Sequence, residues 1–387
     1  MKKIILLFSL LFTVGNVLAQ EQSNAISTGV PFLQISADAR ASGMGDMGVA
    51  TSADVYSQQW NPAKYPFAEE KLGIGLSYTP YLSSLSNDMG LLNLNFFNKI
   101  NERSSFAFSL RYFGIGETIF KDNEDDPGRI MKPNELAFDG SYALKLSETF
   151  AMSVAGRYIR SNLEIQNVDP DARAASSFAV DVAGYYQGPE KAFKSFNGIW
   201  RGGFNISNLG PKLKYNGDSS SESFLPANLK VGGGFDFIFD QDNTLATSVE
   251  FNKLLVPTPQ NDQTMVQYQS AGFVKGAFNS FTDAPGGFSE EVKEVTWAVG
   301  FEYSYRKAFA LRTGYSHENI EKGNRKYFTL GSGFQYKKVK FDFSYLASAA
   351  KQKTPLDNVI RFSLSFNIDG NSAAKVEETE KNTTTTN

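Results

Sequence analysis

The amino-acid sequence predicts an all-β protein, a 14-stranded antiparallel transmembrane β-barrel of the outer membrane, preceded by an N-terminal plug segment containing short helices. Three observations carry that expectation. The chain opens with an export signal and holds no later apolar run long enough for a spanning helix. From Leu72 onward, apolar and polar residues alternate with a period of two. The links between the alternating runs are by turns short and long.

Lys2 and Lys3 precede an apolar run from Ile4 to Phe12, broken only by Ser9, and Val17-Leu18-Ala19 supplies small residues at the cleavage positions. Residues 1–19 read as a secretory signal peptide, because the run falls short of the ~20 residues of a spanning helix. Cleavage after Ala19 removes two lysines, so the formal charge becomes −3 − 2 = −5. Residues 20–71, rich in Ala, Gly and Ser, read as a plug or hatch with short helical character.

Residues 72–367 read as the barrel, with strands at about 72–79, 90–98, 104–113, 134–146, 149–161, 176–187, 198–208, 225–239, 243–255, 291–304, 308–317, 325–336, 339–347 and 358–367. Between Ser105 and Phe113, Phe106, Phe108, Leu110 and Tyr112 face one side, with Ala107, Ser109 and Arg111 on the other. Near the end, Ile360, Phe362, Leu364 and Phe366 oppose Arg361, Ser363 and Ser365. A membrane barrel turns its apolar face to lipid and its polar face to the lumen. Links after even-numbered strands are mostly tight, as in Ser147-Glu148 and Lys337-Lys338; those after odd-numbered strands are mostly long, up to Val256–Glu290. Short periplasmic turns and long extracellular loops are the expected layout, and an even strand count puts N- and C-termini in the periplasm. Residues 368–387, rich in Asn and Thr with Glu377, Glu378 and Glu380, read as a disordered periplasmic tail.

Composition narrows the chemistry. With no Cys there is no disulfide scaffold, thiolate metal site, iron–sulfur cluster or cysteine nucleophile. The single His, His317, gives no multi-histidine metal site and no evident Ser–His–Asp set. No catalytic residue, metal or cofactor is expected, and the chain does not read as an enzyme. The acidic balance argues against nucleic acid as partner; outer-membrane lipid is the expected surrounding.

Gly43-Met44-Gly45-Asp46-Met47-Gly48 matches G-x-G-x-x-G, but it follows no strand and sits in no βαβ unit, so these glycines read as sharp turning points in a tight space. Asp122, Glu124, Asp125 and Asp126, closed by Pro127-Gly128, read as a solvated loop. The inward-facing charges, among them Arg111, Asp139, Arg157, Asp181, Arg201, Lys230, Asp236, Glu250, Glu302, Arg312, Asp342 and Arg361, mix both signs, which suits ion pairs that brace the wall and hold a plug. The longest loop carries Phe273, Val274, Phe278, Phe281 and Phe288, which read either as a recognition surface or as a cover folded over the barrel's own mouth.

The run from Gly29 to Ala50, with its core Phe32-Leu33-Gln34-Ile35-Ser36-Ala37-Asp38-Ala39-Arg40-Ala41-Ser42-Gly43-Met44-Gly45-Asp46-Met47-Gly48-Val49-Ala50, followed by Trp60-Asn61-Pro62-Ala63-Lys64, closely resembles the N-terminal signature of the PorV family of the Bacteroidetes type IX secretion system. Asn61-Pro62-Ala63 also resembles a hatch motif of FadL-type fatty-acid transporters, whose fourteen-stranded fold the family is held to share. The resemblance implies a cargo shuttle. Such a protein binds the C-terminal signal domain of secreted proteins, takes them from an SprA-like translocon and delivers them to a PorU-type sortase and attachment complex. It further implies a hatch built on Phe32, Asp38, Arg40, Gly43, Gly45, Asp46, Gly48, Trp60, Asn61, Pro62 and Ala63. The alternative is a FadL-type outer-membrane transporter of long-chain fatty acids or other hydrophobic solutes. An enzyme acting on outer-membrane lipid lacks a catalytic set, and a soluble exported β-protein would not need detergent.

Overall fold

Strands form where large apolar residues alternate with small or polar ones. The structure, a computed structural model, describes residues 25–81, 88–121, 123–163, 173–215, 222–260, 268, 271–349 and 358–369. Fourteen wall strands follow in chain order: β1 Glu70–Pro80, β2 Gly90–Lys99, β3 Ser104–Gly114, β4 Asn134–Lys145, β5 Phe150–Asn162, β6 Ala175–Gln187, β7 Asn197–Leu209, β8 Asn228–Ile238, β9 Asn243–Leu254, β10 Thr296–Tyr305, β11 Phe309–His317, β12 Lys326–Tyr336, β13 Val339–Ser348 and β14 Ile360–Asp369. Each pairs antiparallel with its chain neighbours, and β14 returns to β1 with Leu364 opposite Leu76. The sheet is therefore a closed ring without a free edge, as backbone in lipid requires.

Ile74, Leu76 and Tyr78 of β1, Phe108, Leu110 and Tyr112 of β3, and Phe362, Leu364 and Phe366 of β14 stand exposed on the outside. Between them Ser77, Ser109, Arg111, Ser363 and Ser365 are buried against the interior. This is a lipid-facing band over a polar lumen. No described helix is long and apolar enough to cross a membrane, which leaves spanning strands untouched.

Tight turns cluster at the end where Glu70 meets Asp369. Lys307 (φ 53°) and Lys337 (φ 54°) take the left-handed conformation there, as the twist of short hairpins demands. Long loops gather at the other end and carry structure of their own. Thr118–Phe120 pairs with Arg129–Met131, and Leu213–Lys214 pairs with Glu222–Ser223. Among the described residues, the long loop after β9 contains α-helix Phe273–Asn279 and α-helix Phe288–Lys293. The second displaces the strand start expected at 291: Glu290 and Glu291 in its first turn and Lys293 in its last complement the helix dipole, and β10 begins only at Thr296. The start expected at 225 moves to Asn228 because Pro226 cannot donate to a ladder.

Residues 25–69 occupy the lumen. Ala25 to Ser36 line a cavity at the long-loop end, whereas Ala68 accepts a hydrogen bond from Lys99 and Glu69 meets Lys307 at the tight-turn end. The even strand count thus brings the two ends of the wall together, but the chain crosses the whole lumen before the wall begins. Ala25 lies at the end opposite Asp369. The signal at 1–19, most of the expected tail and Asp122 lie outside the described residues.

Candidate functional site

The lumen segment expected to act as a hatch is built from four short helical turns. The 3-10 turn Pro31–Gln34 seats Phe32 and Leu33 against Leu91, Phe113 and Ile159 of the wall. Asp38 caps the helix Ala39–Ser42 by accepting from the Ala41 amide at 2.8 Å, and its other carboxylate oxygen accepts from Trp60 Nε1 at 2.7 Å. Trp60 closes the helix Ser57–Trp60. Asn61 then caps the 3-10 helix Pro62–Phe67, with Pro62 at its first position, while Asn61 Nδ2 donates to Val49 O at 2.9 Å and to Gly184 O of the wall at 3.0 Å. The Asn-Pro-Ala motif is thus a cap and a strut together: Asn supplies both hydrogen-bonding functions, Pro presets the helix and Ala63 is small enough to be fully buried.

Charges fix this hatch to the wall. Arg40 donates to both oxygens of Glu302 on β10, at 2.9 and 2.8 Å, and to Asp54 at 2.7 Å. Arg312 on β11 reaches the same Glu302 at 2.5 Å and Asp342 on β13 at 2.8 Å. Glu250 on β9 accepts the backbone amides of Gly48 and Val49, each at 2.8 Å. Asp46 (φ 57°) accepts from Tyr327 at 2.8 Å and pairs with Arg361 at 3.3 Å. Lys64 caps the Gly48 carbonyl at 2.8 Å, and Lys230 lies 4.4 Å from the Trp60 ring. Within the wall, Arg157 bridges Asp139 and Asp181 across three strands, and Asp139 also accepts from Gln58 Nε2 at 2.8 Å.

Glycines let hatch backbone lie on wall backbone. A Cβ at Gly314 would fall 2.2 Å from the Met44 carbonyl carbon, one at Gly203 2.2 Å from Val49 O, and one at Gly43 3.0 Å from Gly331 Cα. Gly45 takes φ +86°, a conformation that only glycine adopts freely. Gly48 leaves room for the Trp60 ring, whose Cγ would sit 2.4 Å from an added Cβ. The structure brings all eleven hatch candidates into this one contact system.

Above the hatch a cavity of about 690 Å³ opens at the long-loop end, lined among others by Phe32, Arg111, Phe113, Lys230, Glu294 and Arg325. Its rim is braced by a compact ion cluster. Lys253 pairs with Glu291 at 3.0 Å and Glu294 at 2.7 Å, Lys322 pairs with Glu294 at 3.0 Å and with Glu290, and Thr258 Oγ1 donates to Glu294 at 2.7 Å. Burial alone would push the Glu294 carboxyl up; hydrogen bonds from Lys253, Thr258 and Lys322 outweigh it and hold the group below its usual range. On this base the two rim helices present Phe273, Val274, Phe278 (76% exposed) and Phe288 (83% exposed), and the turn between them presents Phe281.

Sequence patterns missed several partners. Tyr56 places its hydroxyl 2.9 Å from Leu76 O and 2.8 Å from Leu364 O, touching the first and last wall strands at the seam. A single Tyr in an irregular segment has no periodicity to find it by. Inward-facing glycines at 203, 232, 300, 314 and 331 were the available signal for where the hatch presses. His317 stacks on Trp297 with ring centroids 5.2 Å apart. No group of three or more potential metal ligands occurs among the described residues.

A family model described as "Type IX secretion system protein PorV" matches residues 18–261, from before the hatch to beyond β9. No curated protein matches the chain. Among solved structures, the TodX deltaS2S3 mutant monoaromatic hydrocarbon channel is similar, with a TM-score of 0.50 and 8% identity over 86% of this chain and 98% of that one. The CymD monoaromatic hydrocarbon channel gives 0.48 and 11% over 87% and 98%. A Pseudomonas aeruginosa FadL homologue gives 0.44 and 11% over 89% and 99%. At such identities the likeness concerns the barrel fold alone.

Proposed function

Because the chain belongs to the PorV family of type IX secretion system proteins, we propose that this outer-membrane barrel is a binding adaptor. Its long-loop rim receives the C-terminal signal domain of secreted cargo, takes it from an SprA-like translocon and hands it to a PorU-type attachment complex. The long loops face outside the cell and the tight turns face the periplasm. Residues 20–71 act as a permanent hatch and residues 368–387 as a periplasmic tail.

One observation carries this reading: large apolar side chains stand exposed on a rim whose base is locked by buried ion pairs. Exposed aromatics on a rigid support bind at low entropic cost, and few such anchors dominate an interface. A transporter of fatty acids would need an apolar passage. Here the interior is occupied by a hatch held through charges and backbone contacts. Shortening Val256–Glu290 and measuring capture of a cargo signal domain tests the proposal. Lost capture with an intact barrel is expected; undiminished capture would reject the rim as the contact.

A further inference from the structure

Wall strands that follow one another in the chain are held together by the turn or loop between them. The junction of β14 with β1 has no such link. Leu76 stands opposite Leu364 there, with the whole wall lying between them in sequence. Closing this junction carries the loop-closure cost of the entire ring.

The hatch reaches the junction at successive register positions. Gly75, opposite Ser365, lies under Val55 and Tyr56: an added Cβ would sit 2.8 Å from Val55 Cγ1 and from Tyr56 Cζ. At the next position Tyr56, 3% exposed, shares its hydroxyl proton between Leu76 O on β1 at 2.9 Å and Leu364 O on β14 at 2.8 Å. One position further, a directed chain of hydrogen bonds runs out from the hatch. The Ala39 amide donates to Ser363 Oγ on β14 at 2.8 Å, Ser363 Oγ donates to Ser77 Oγ on β1 at 3.0 Å, and Ser77 Oγ donates to Phe362 O on β14 at 3.0 Å. Ser77 and Ser363 face each other directly and are both buried. Arg361 of β14 is gripped by Ser42 and, at 3.3 Å, by Asp46. Among the described residues, no other hatch side chain hydrogen-bonds the backbone of two adjoining strands.

Tyr56 lies 20 residues from Leu76 but 308 from Leu364. The hatch is therefore tethered locally to β1 and presents a ready surface to β14. We infer that the hatch is the clamp of the barrel: seated, it holds β14 on β1, and unseated, it lets the wall part sideways at that junction. Parting there turns two strand edges toward lipid, which is costly. The closed wall is the resting state, and the clamp sets how seldom it opens. It acts whatever the rim binds.

Hydrogen exchange of the detergent-solubilised mature protein, read by mass spectrometry, tests this. Tyr56→Phe/Ser363→Ala removes the hydroxyl bonds at both positions and keeps an aromatic ring over Gly75. Exchange over 74–78 and 362–366 is expected to speed up by about tenfold, as for the loss of one or two net hydrogen bonds. Exchange over 106–112 and 136–142, on β3 and β4, is expected to keep the wild-type rate. Unchanged exchange at the junction overturns the proposal. So does an equal acceleration on β3 and β4, because the bonds would then stabilise the barrel as a whole. Should the double variant fail to yield a barrel, Tyr56→Phe, which trims a single oxygen, is read over the same segments with the same two outcomes.

Discussion

Arg40 on the hatch and Glu302 at the centre of β10 face each other as two parallel hydrogen bonds of 2.9 and 2.8 Å, inside the barrel. The pair joins the segment that occupies the lumen to the strand wall. Removing Arg40 leaves Glu302 with Arg312 as its remaining partner and takes the ion pair from Asp54, a loss of about 1–3 kcal/mol. Arg40→Ala is therefore expected to loosen the hatch. Planar-bilayer recordings check this: current steps in the variant and a closed wild type are expected, and a closed variant would show that the pair does not seat the hatch.

Backbone contact between hatch and wall makes a second expectation. Gly314→Ala places a methyl 2.2 Å from the Met44 carbonyl carbon, whereas Gly156→Ala meets nothing within 4 Å. Overpacking of this kind costs about 1–3 kcal/mol. Thermal unfolding in detergent should show a lowered Tm for Gly314→Ala and no loss for Gly156→Ala.

At the rim, Phe278 and Phe288 are exposed and contribute little to the fold. Phe278→Ser/Phe288→Ser should leave Tm unchanged and weaken capture of a cargo signal domain by about tenfold or more, the effect of losing a hot-spot residue. Equal affinity in a binding titration would move the contact elsewhere.

The rim also carries a pH dependence. Burial pushes Asp283 up to about 6, with Glu291 and Glu294 adding to the rise and the Thr258 amide opposing it. The folded rim thus binds this proton more tightly than the unfolded chain. Its stability falls as pH rises from about 4 to about 6, and the loss is complete above that. Glu294 acts oppositely, its contribution disappearing as pH drops below the usual carboxylate range. Hydrogen exchange over 271–294, corrected for intrinsic rates, should show stronger protection at pH 5 than at pH 7, and Asp283→Asn should flatten the difference.

The wall was legible because its signal is repeated: each strand shows a two-residue alternation, and Phe106, Phe108 and Leu110 face out as their spacing requires. The hatch was legible as a set of residues but not as a set of contacts. Nothing local in the sequence says that Glu250 would accept the Gly48 and Val49 amides some two hundred positions away. Partners of that kind depend on how an irregular segment threads a closed space. The rim helices escaped notice because Phe273–Asn279 and Phe288–Lys293 span seven and six residues, too short for a helical period to emerge.

The account rests on the rim, and not the lumen, as the place where cargo is held. Site-specific photo-crosslinking tests that most directly, with the reactive group placed in turn at Phe288 on the rim and at Gln59 within the hatch. In the presence of a secreted protein's C-terminal signal domain, adducts are predicted at Phe288 and none at Gln59. Adducts at Gln59 with none at Phe288 would contradict it.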